Sequence, residues 1–91
     1  MMLDLNATAQ FRKDRKRCIK RGYDMNLLNE VIDILLIPEQ LPPENKDHPL
    51  SGNWANHREC HILSDWLLIY RVKNNSLYLD RTGTHADLFE E

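Results

Sequence analysis

The sequence predicts an α+β fold: β-α-α-β-β-β with a short C-terminal helix, a mainly antiparallel sheet and two helices packed on one face. Three observations predict it. Residues 7–21 and 25–37 carry helical spacing and meet at Gly22-Tyr23. Residues 57–63, 66–72 and 77–81 alternate or run apolar over strand lengths, with short turns between them. Helices grouped before strands, rather than alternating with them, point away from a parallel α/β sheet. With 91 residues, the chain is read as a single domain spanning 1–91. A chain this small buries little more than ~60% of its unfolded surface, so a site is expected in an open groove.

The elements follow in order. Residues 2–6, "MLDLN", alternate and suit a short first strand. Thr8 or Asn6 can cap the first helix, and Gly22 can stop it in the left-handed conformation. Its apolar stripe is narrow, with Phe11 and Cys18 seven residues apart. Asp24 caps the second helix, where Met25, Leu28, Val31, Ile32 and Leu35 recur at helical steps and Pro38 ends the pattern. Residues 38–56 carry four prolines and read as a long irregular connection, pinned by Leu41, Leu50 and Trp54. The 66–72 strand is apolar on both sides, as in a central strand covered on two faces. "KNNS" is a turn by composition, and Thr84 can cap one last helical turn.

Composition excludes several classes. Apolar residues make up 42% and charged residues 29%, the balance of a soluble globular chain. No stretch approaches the ~20 apolar residues of a membrane span, and the start lacks the regions of a signal peptide. Cys18 and Cys60 have no framework spacing and are expected as free thiols in a reducing cytoplasm. Net charge is −2, yet residues 11–22 hold seven Lys or Arg and one Asp, a local +6 that leaves −8 for the rest. Such a run can make a positive face on a near-neutral protein, although a solvated helix face produces the same pattern.

"HILSDWLLIY" (61–70) places His61 and Asp65 on either side of a tight turn. Alone, they read as the polar end of a hairpin. Strand parity puts His57, Glu59 and His61 away from the helices if Cys60 and Ile62 face them. His48 in the long loop, and Arg81, His85 and Phe89 at the end of the last strand, join them among loops and strand ends. A metal site finds little support in the spacing. Four residues along a strand separate His57 from His61 by about 13 Å, and no acidic or thiol ligand accompanies the histidines in a familiar pattern. Metal-free acid–base chemistry fits better. Cutting RNA needs a group to take the 2′-OH proton, one to protonate the leaving 5′-oxygen, and a cation for the charge building on phosphate. Histidines, Asp65 and Arg81 are the right types, an aromatic can stack on a base, and the basic helix can meet the backbone.

"KDHPLSGNW", "HRECHILSDWLLIYRV", "LYLDRTGTHADLF" and the helix opening "DMNLL" resemble the YafQ family of bacterial toxins, in the RelE superfamily. The resemblance covers almost the whole chain, and the joint order of the fragments is specific where each alone is weak. It implies a RelE-like fold and a ribosome-dependent mRNA endonuclease of a type II toxin–antitoxin system. Such an enzyme cleaves mRNA in the 30S A site by 2′-OH attack, with no metal and no cofactor. It implies a bacterial cytoplasmic protein, a DinJ-like antitoxin, and operator DNA reached only through the antitoxin complex. Motif by motif, acid–base roles fall on His48, His61, Asp65 and His85, the phosphate-stabilising role on Arg81, and the terminal aromatic on Phe89. Lys13, Lys16, Arg17, Lys20 and Arg21 would touch ribosomal RNA, and Trp66 is given a packing role. Two positions depart from the pattern: Ser64 stands where Pro is common, and His57 where an aromatic is common. Parity puts Arg81 on the core side with Leu77 and Leu79, unless a bulge re-aims it. A catalytically silent antitoxin-binding co-repressor and a metal-dependent nuclease are the alternatives.

Overall fold

The computed structural model describes residues 2–89. Strand β1 (Asp4–Ala7) leads into helices α1 (Ala9–Lys20) and α2 (Met25–Leu36). A two-residue strand β2 (His48–Pro49) precedes β3 (Arg58–Leu63), β4 (Trp66–Lys73), β5 (Ser76–Gly83) and the short helix α3 (His85–Phe89). The sheet order is β1-β5-β4-β3-β2, antiparallel except for the β1–β5 pair. The α+β order read from the sequence is present, with β2 as an addition inside a segment expected to be irregular.

Local chemistry sets the boundaries. The Thr8 hydroxyl caps α1 by accepting from the Phe11 N–H at 3.1 Å, and the Asp24 carboxylate caps α2 by accepting from the Asn26 N–H at 2.9 Å. After α1, Gly22 adopts φ +84. Its N–H donates to Ile19 O, and the Tyr23 N–H to Cys18 O, a Schellman closure that needs a residue tolerant of positive φ. Asn74 and Asn75, both at positive φ, make the two-residue turn between β4 and β5, matching the twist of the hairpin.

Helices α1 and α2 cover one sheet face. Phe11, Cys18, Leu28, Val31, Ile32 and Leu35 pack there on Cys60, Ile62, Trp66, Leu68, Tyr70, Leu77 and Leu79. The opposite face carries a smaller cluster, Leu67, Ile69 and Leu88, flanked by Leu50, Trp54 and Phe89. β4 is therefore covered on both sides, as its continuous apolar run requires. Leu41 joins the main core while Leu50 and Trp54 join the second, so the proline-rich connection straddles the sheet edge. Cys18 and Cys60 are buried free thiols, and burial pushes the Cys60 thiol up to about 12.

One irregularity decides where the end of β5 points. Ile69 pairs with Arg81 and Tyr70 with Leu79, so Asp80 is an extra residue in β5. The bulge reverses the alternation. Leu77 and Leu79 face the helices, whereas Arg81 sits opposite Ile69 on the other face.

Candidate active site

The site lies on the sheet face opposite α1 and α2, at the end where β2, β3 and α3 meet. His48 reaches it through β2: direct pairing of His48 with Glu59 sets their side chains on one face. Pro49 is tolerated because β2 is an edge strand. The preceding turn is anchored on the opposite side of the sheet, where Asp47 accepts from the Tyr70 hydroxyl at 2.7 Å and from Arg58 Nε at 3.1 Å. Asn45 Nδ2 donates to His61 O at 2.7 Å and ties the same loop to β3.

β3 supplies Glu59 and His61. His61 Nε2 is 3.4 Å, and His48 Nε2 3.7 Å, from Glu59 Oε1. Glu59 is only 4% exposed. Glu59 is a site residue that no sequence motif singles out. Its signal was the alternation of β3 itself, which sets residues 59 and 61 on one face.

α3 supplies His85 and Phe89. Thr84 and Asp87 begin it reciprocally: the Thr84 hydroxyl accepts from the Asp87 N–H at 3.1 Å, and Asp87 Oδ2 accepts from the Thr84 N–H at 3.0 Å. Gly83, at φ +155, makes the corner; a Cβ there would stand 2.8 Å from Asp87 Oδ2. The corner swings His85 over the β3–β4 turn. Asp65 Oδ1 accepts from the His85 backbone N–H at 2.9 Å and lies 2.6 Å from His85 Nδ1. These two contacts, backbone first, hold the Asp65 carboxyl below its usual range.

The rings of His48, His61, His85 and Phe89 form a chain, with centroids 6.5, 5.8 and 6.5 Å apart in turn. His48 Nδ1 lies 2.7 Å from Lys46 O, and the carbonyl can only accept, so the network assigns the proton to Nδ1 and leaves Nε2 facing Glu59. By the same logic Asp65 holds the Nδ1 proton of His85. The site thus offers His48 and His85 in assigned tautomers, with His61 between them, beside two carboxylates on a partly exposed surface.

The same donors could hold a metal ion. One ligand atom each from Glu59, His61 and His85 lies within 4.8 Å of the others. Residue spacing gave no hint of this trio, because strand alternation and the α3 corner, not a local motif, bring it together. Borderline metals such as copper or zinc suit two imidazoles and a carboxylate.

The remaining candidates are placed as follows. Arg81 lies on the site's sheet face, with its guanidinium against Asp14. Trp66 is 2% exposed and donates from Nε1 to the Thr82 hydroxyl, in keeping with its packing role. His57 belongs to a separate cluster, 3.4 Å from Asp80 Oδ2 and edge-on to Trp54. On α1, Lys13, Lys16 and Lys20 are exposed. Arg17 instead pairs with Asp14 at 3.2 Å, and Arg21 binds Asp87 with both Nη atoms at 2.6 and 3.1 Å.

Residues 3–90 match the family of YafQ bacterial toxins of type II toxin–antitoxin systems. The mRNA interferase toxin YafQ of Escherichia coli strain K12 is 43% identical over 89 residues, covering 94% of this chain and 95% of that protein. A copper-bound mutant toxin from Helicobacter pylori superposes with a TM-score of 0.93 at 45% identity, covering 97% of this chain and all of that one. A YafQ chain from the E. coli DinJ–YafQ toxin–antitoxin complex superposes with a TM-score of 0.90 at 41% identity, covering 98% and 99%.

Proposed function

This chain belongs to the YafQ family of bacterial toxins of type II toxin–antitoxin systems, and from that premise we propose that it is an endoribonuclease that cuts mRNA in the ribosomal A site. Residues 1–91 act as one toxin domain in the bacterial cytoplasm. A DinJ-like antitoxin silences it, and the pair contacts operator DNA through the antitoxin. The observation that carries the reading is the convergence of His48, His61, His85, Glu59 and Asp65 on one open surface beside Phe89. Relatives named as mRNA interferases, and one solved with DinJ, support it.

The chemistry uses this chain's own groups. One imidazole takes the proton of the ribose 2′-OH, and the freed oxygen attacks the adjacent phosphorus. The 2′-O–P bond forms as the P–O5′ bond breaks, and a second, protonated imidazole delivers its proton to the departing 5′-oxygen. The products are a 2′,3′-cyclic phosphate and a 5′-hydroxyl. Each proton transfer by a positioned group contributes about 10²–10⁴-fold. Asp65 steadies the imidazolium that His85 becomes, and Glu59 does so for His61 and His48. Arg81 faces the negative charge that builds on the phosphate. Phe89, ring to ring with His85, offers a platform for a base. The exposed lysines of α1 meet ribosomal RNA.

The Glu59–His61–His85 trio favours a second reading, a metal-dependent nuclease. One experiment separates the readings: mRNA cleavage on programmed 70S ribosomes with and without EDTA, wild type against His85→Ala. The proposal expects A-site cuts that resist EDTA and vanish in the variant. Cuts abolished by EDTA would establish the metal reading. Antitoxin binding with no cuts from wild type would mean a silent co-repressor.

A further inference from the structure

Asp14 is the single acid in the basic run 11–22, and its side chain is 1% exposed. Five donors converge on it. Oδ2 accepts from Arg81 Nε at 2.7 Å and from the Thr82 N–H at 3.2 Å. Oδ1 accepts from Arg81 Nη2 at 3.2 Å, Arg17 Nη2 at 3.2 Å and Gln10 Nε2 at 3.0 Å. The placement follows from topology. β1 pairs with β5 only from Ser76 to Leu79. Beyond that point α1 lies along the β5 edge, and the Asp14 carboxylate takes the Thr82 N–H that a strand would have taken. An isolated buried carboxylate would cost several kcal/mol, and two guanidiniums and an amide offset this.

We propose that Asp14 is a positioning residue for phosphate recognition: it grips Arg81 by one edge of the guanidinium and presents the other edge to the scissile phosphate. The inference rests on the nuclease reading above. Arginine carries five N–H donors in a rigid fork. Asp14 engages one on Nε and one on Nη2. Both Nη1 donors and the second Nη2 donor remain, and that edge matches two phosphate oxygens. Arg81 lines a surface groove with Asn53, Trp54, Asp87, Leu88 and Phe89, at the aromatic end of the site. The charges also balance for an anion. Three guanidiniums, of Arg17, Arg21 and Arg81, against the carboxylates of Asp14 and Asp87 leave the linked network one positive charge. The bulge at Asp80 turns Arg81 to the correct face, and Asp14 then fixes where its guanidinium stops.

The test is a double-mutant cycle on the full chain, reading single-turnover cleavage on programmed ribosomes and melting temperature for wild type, Asp14→Asn, Arg81→Ala and the double variant. Asp14→Asn should lower kcat about tenfold with KM nearly unchanged. In the Arg81→Ala background the same change should alter kcat by less than about twofold, because the two act as one unit. A full kcat in Asp14→Asn, or an equal loss in both backgrounds, would overturn the inference and leave the nuclease reading intact. An inactive wild type would overturn both. Where Asp14→Asn does not fold, the wild-type Arg81 side-chain N–H signals decide on titration with inorganic phosphate. The Nη signals should move while the Nε signal stays fixed; a moving Nε signal would mean that Asp14 releases the arginine.

Discussion

His85 Nδ1 and Asp65 Oδ1 lie 2.6 Å apart, and the same oxygen accepts the His85 backbone N–H at 2.9 Å. One carboxylate thus fixes both the main chain and the ring of the residue that follows the Gly83-Thr84 corner. Both side chains are substantially exposed, at 40% for His85 and 61% for Asp65, so the pair contributes little to stability. Its value lies in the tautomer it selects. Asp65→Asn should leave the melting temperature nearly unchanged and reduce kcat by about 10²-fold or more. Single-turnover cleavage alongside a thermal melt checks this, and a parallel fall in both would show that the contact is structural.

The metal trio implies a competition. An ion held by Glu59, His61 and His85 occupies imidazoles that the proposed proton transfers require. Added Zn²⁺ or Cu²⁺ should therefore suppress cleavage, and EDTA should restore it. Isothermal titration should show metal binding that weakens at least ~10-fold in Glu59→Gln. Stimulation of cleavage by either ion would reverse the assignment.

Gly83 is held at φ +155 with Asp87 against its α-carbon. Gly83→Ala adds backbone strain of about 1–3 kcal/mol and a clash with Asp87 Oδ2. The expected result is a lower melting temperature together with lost cleavage, because α3 carries His85. Retained activity at a reduced melting temperature would show that α3 can re-seat itself.

Asp87 gives the fold an acid limit. The Arg21 contact, ahead of every other cause, holds the Asp87 carboxyl far below its ordinary value of 3.8. A carboxyl depressed in the folded state stabilises the fold fully above that ordinary value, and its contribution is lost as pH falls below it toward the folded value. Melting temperature should thus decline below about pH 4, and Asp87→Asn should flatten that decline. An unchanged acid limb in the variant would assign it to other carboxylates.

The cations of α1 and of its C-terminal cap, Arg21, differ in partner. Arg17 and Arg21 are committed to Asp14 and Asp87, whereas Lys13, Lys16 and Lys20 stand exposed. Replacing the three lysines with alanine should weaken ribosome binding and reduce the salt dependence by roughly one unit of log–log slope per lost phosphate contact. Arg21→Ala should instead lower the melting temperature first. Ribosome co-sedimentation at several salt concentrations, with melts, separates the two groups.

Element order is legible in the amino-acid sequence. Caps at Thr8 and Asp24, a stop at Gly22, an Asn-Asn turn and the apolar spacing of each segment are local, and local rules govern them. Strand parity and the tight turn also bring His61 and Asp65 to one hairpin end, whereas His48 and His85 join them only through the family motifs. The remaining features depend on long-range contacts. β2 exists because a two-residue segment finds an edge to pair with, which no periodicity reveals. Asp80 reads like any strand residue, yet it bulges and turns Arg81 to the face opposite its neighbours Leu77 and Leu79. Glu59 and Asp14 are acids of ordinary appearance in sequence. One is buried between histidines of two strands, and the other sits under two arginines at a strand edge. His48 reaches Glu59 from 11 residues away, and Arg81 reaches Asp14 from 67. Only packing brings such groups together, because burial and charge pairing depend on distance in space and not along the chain.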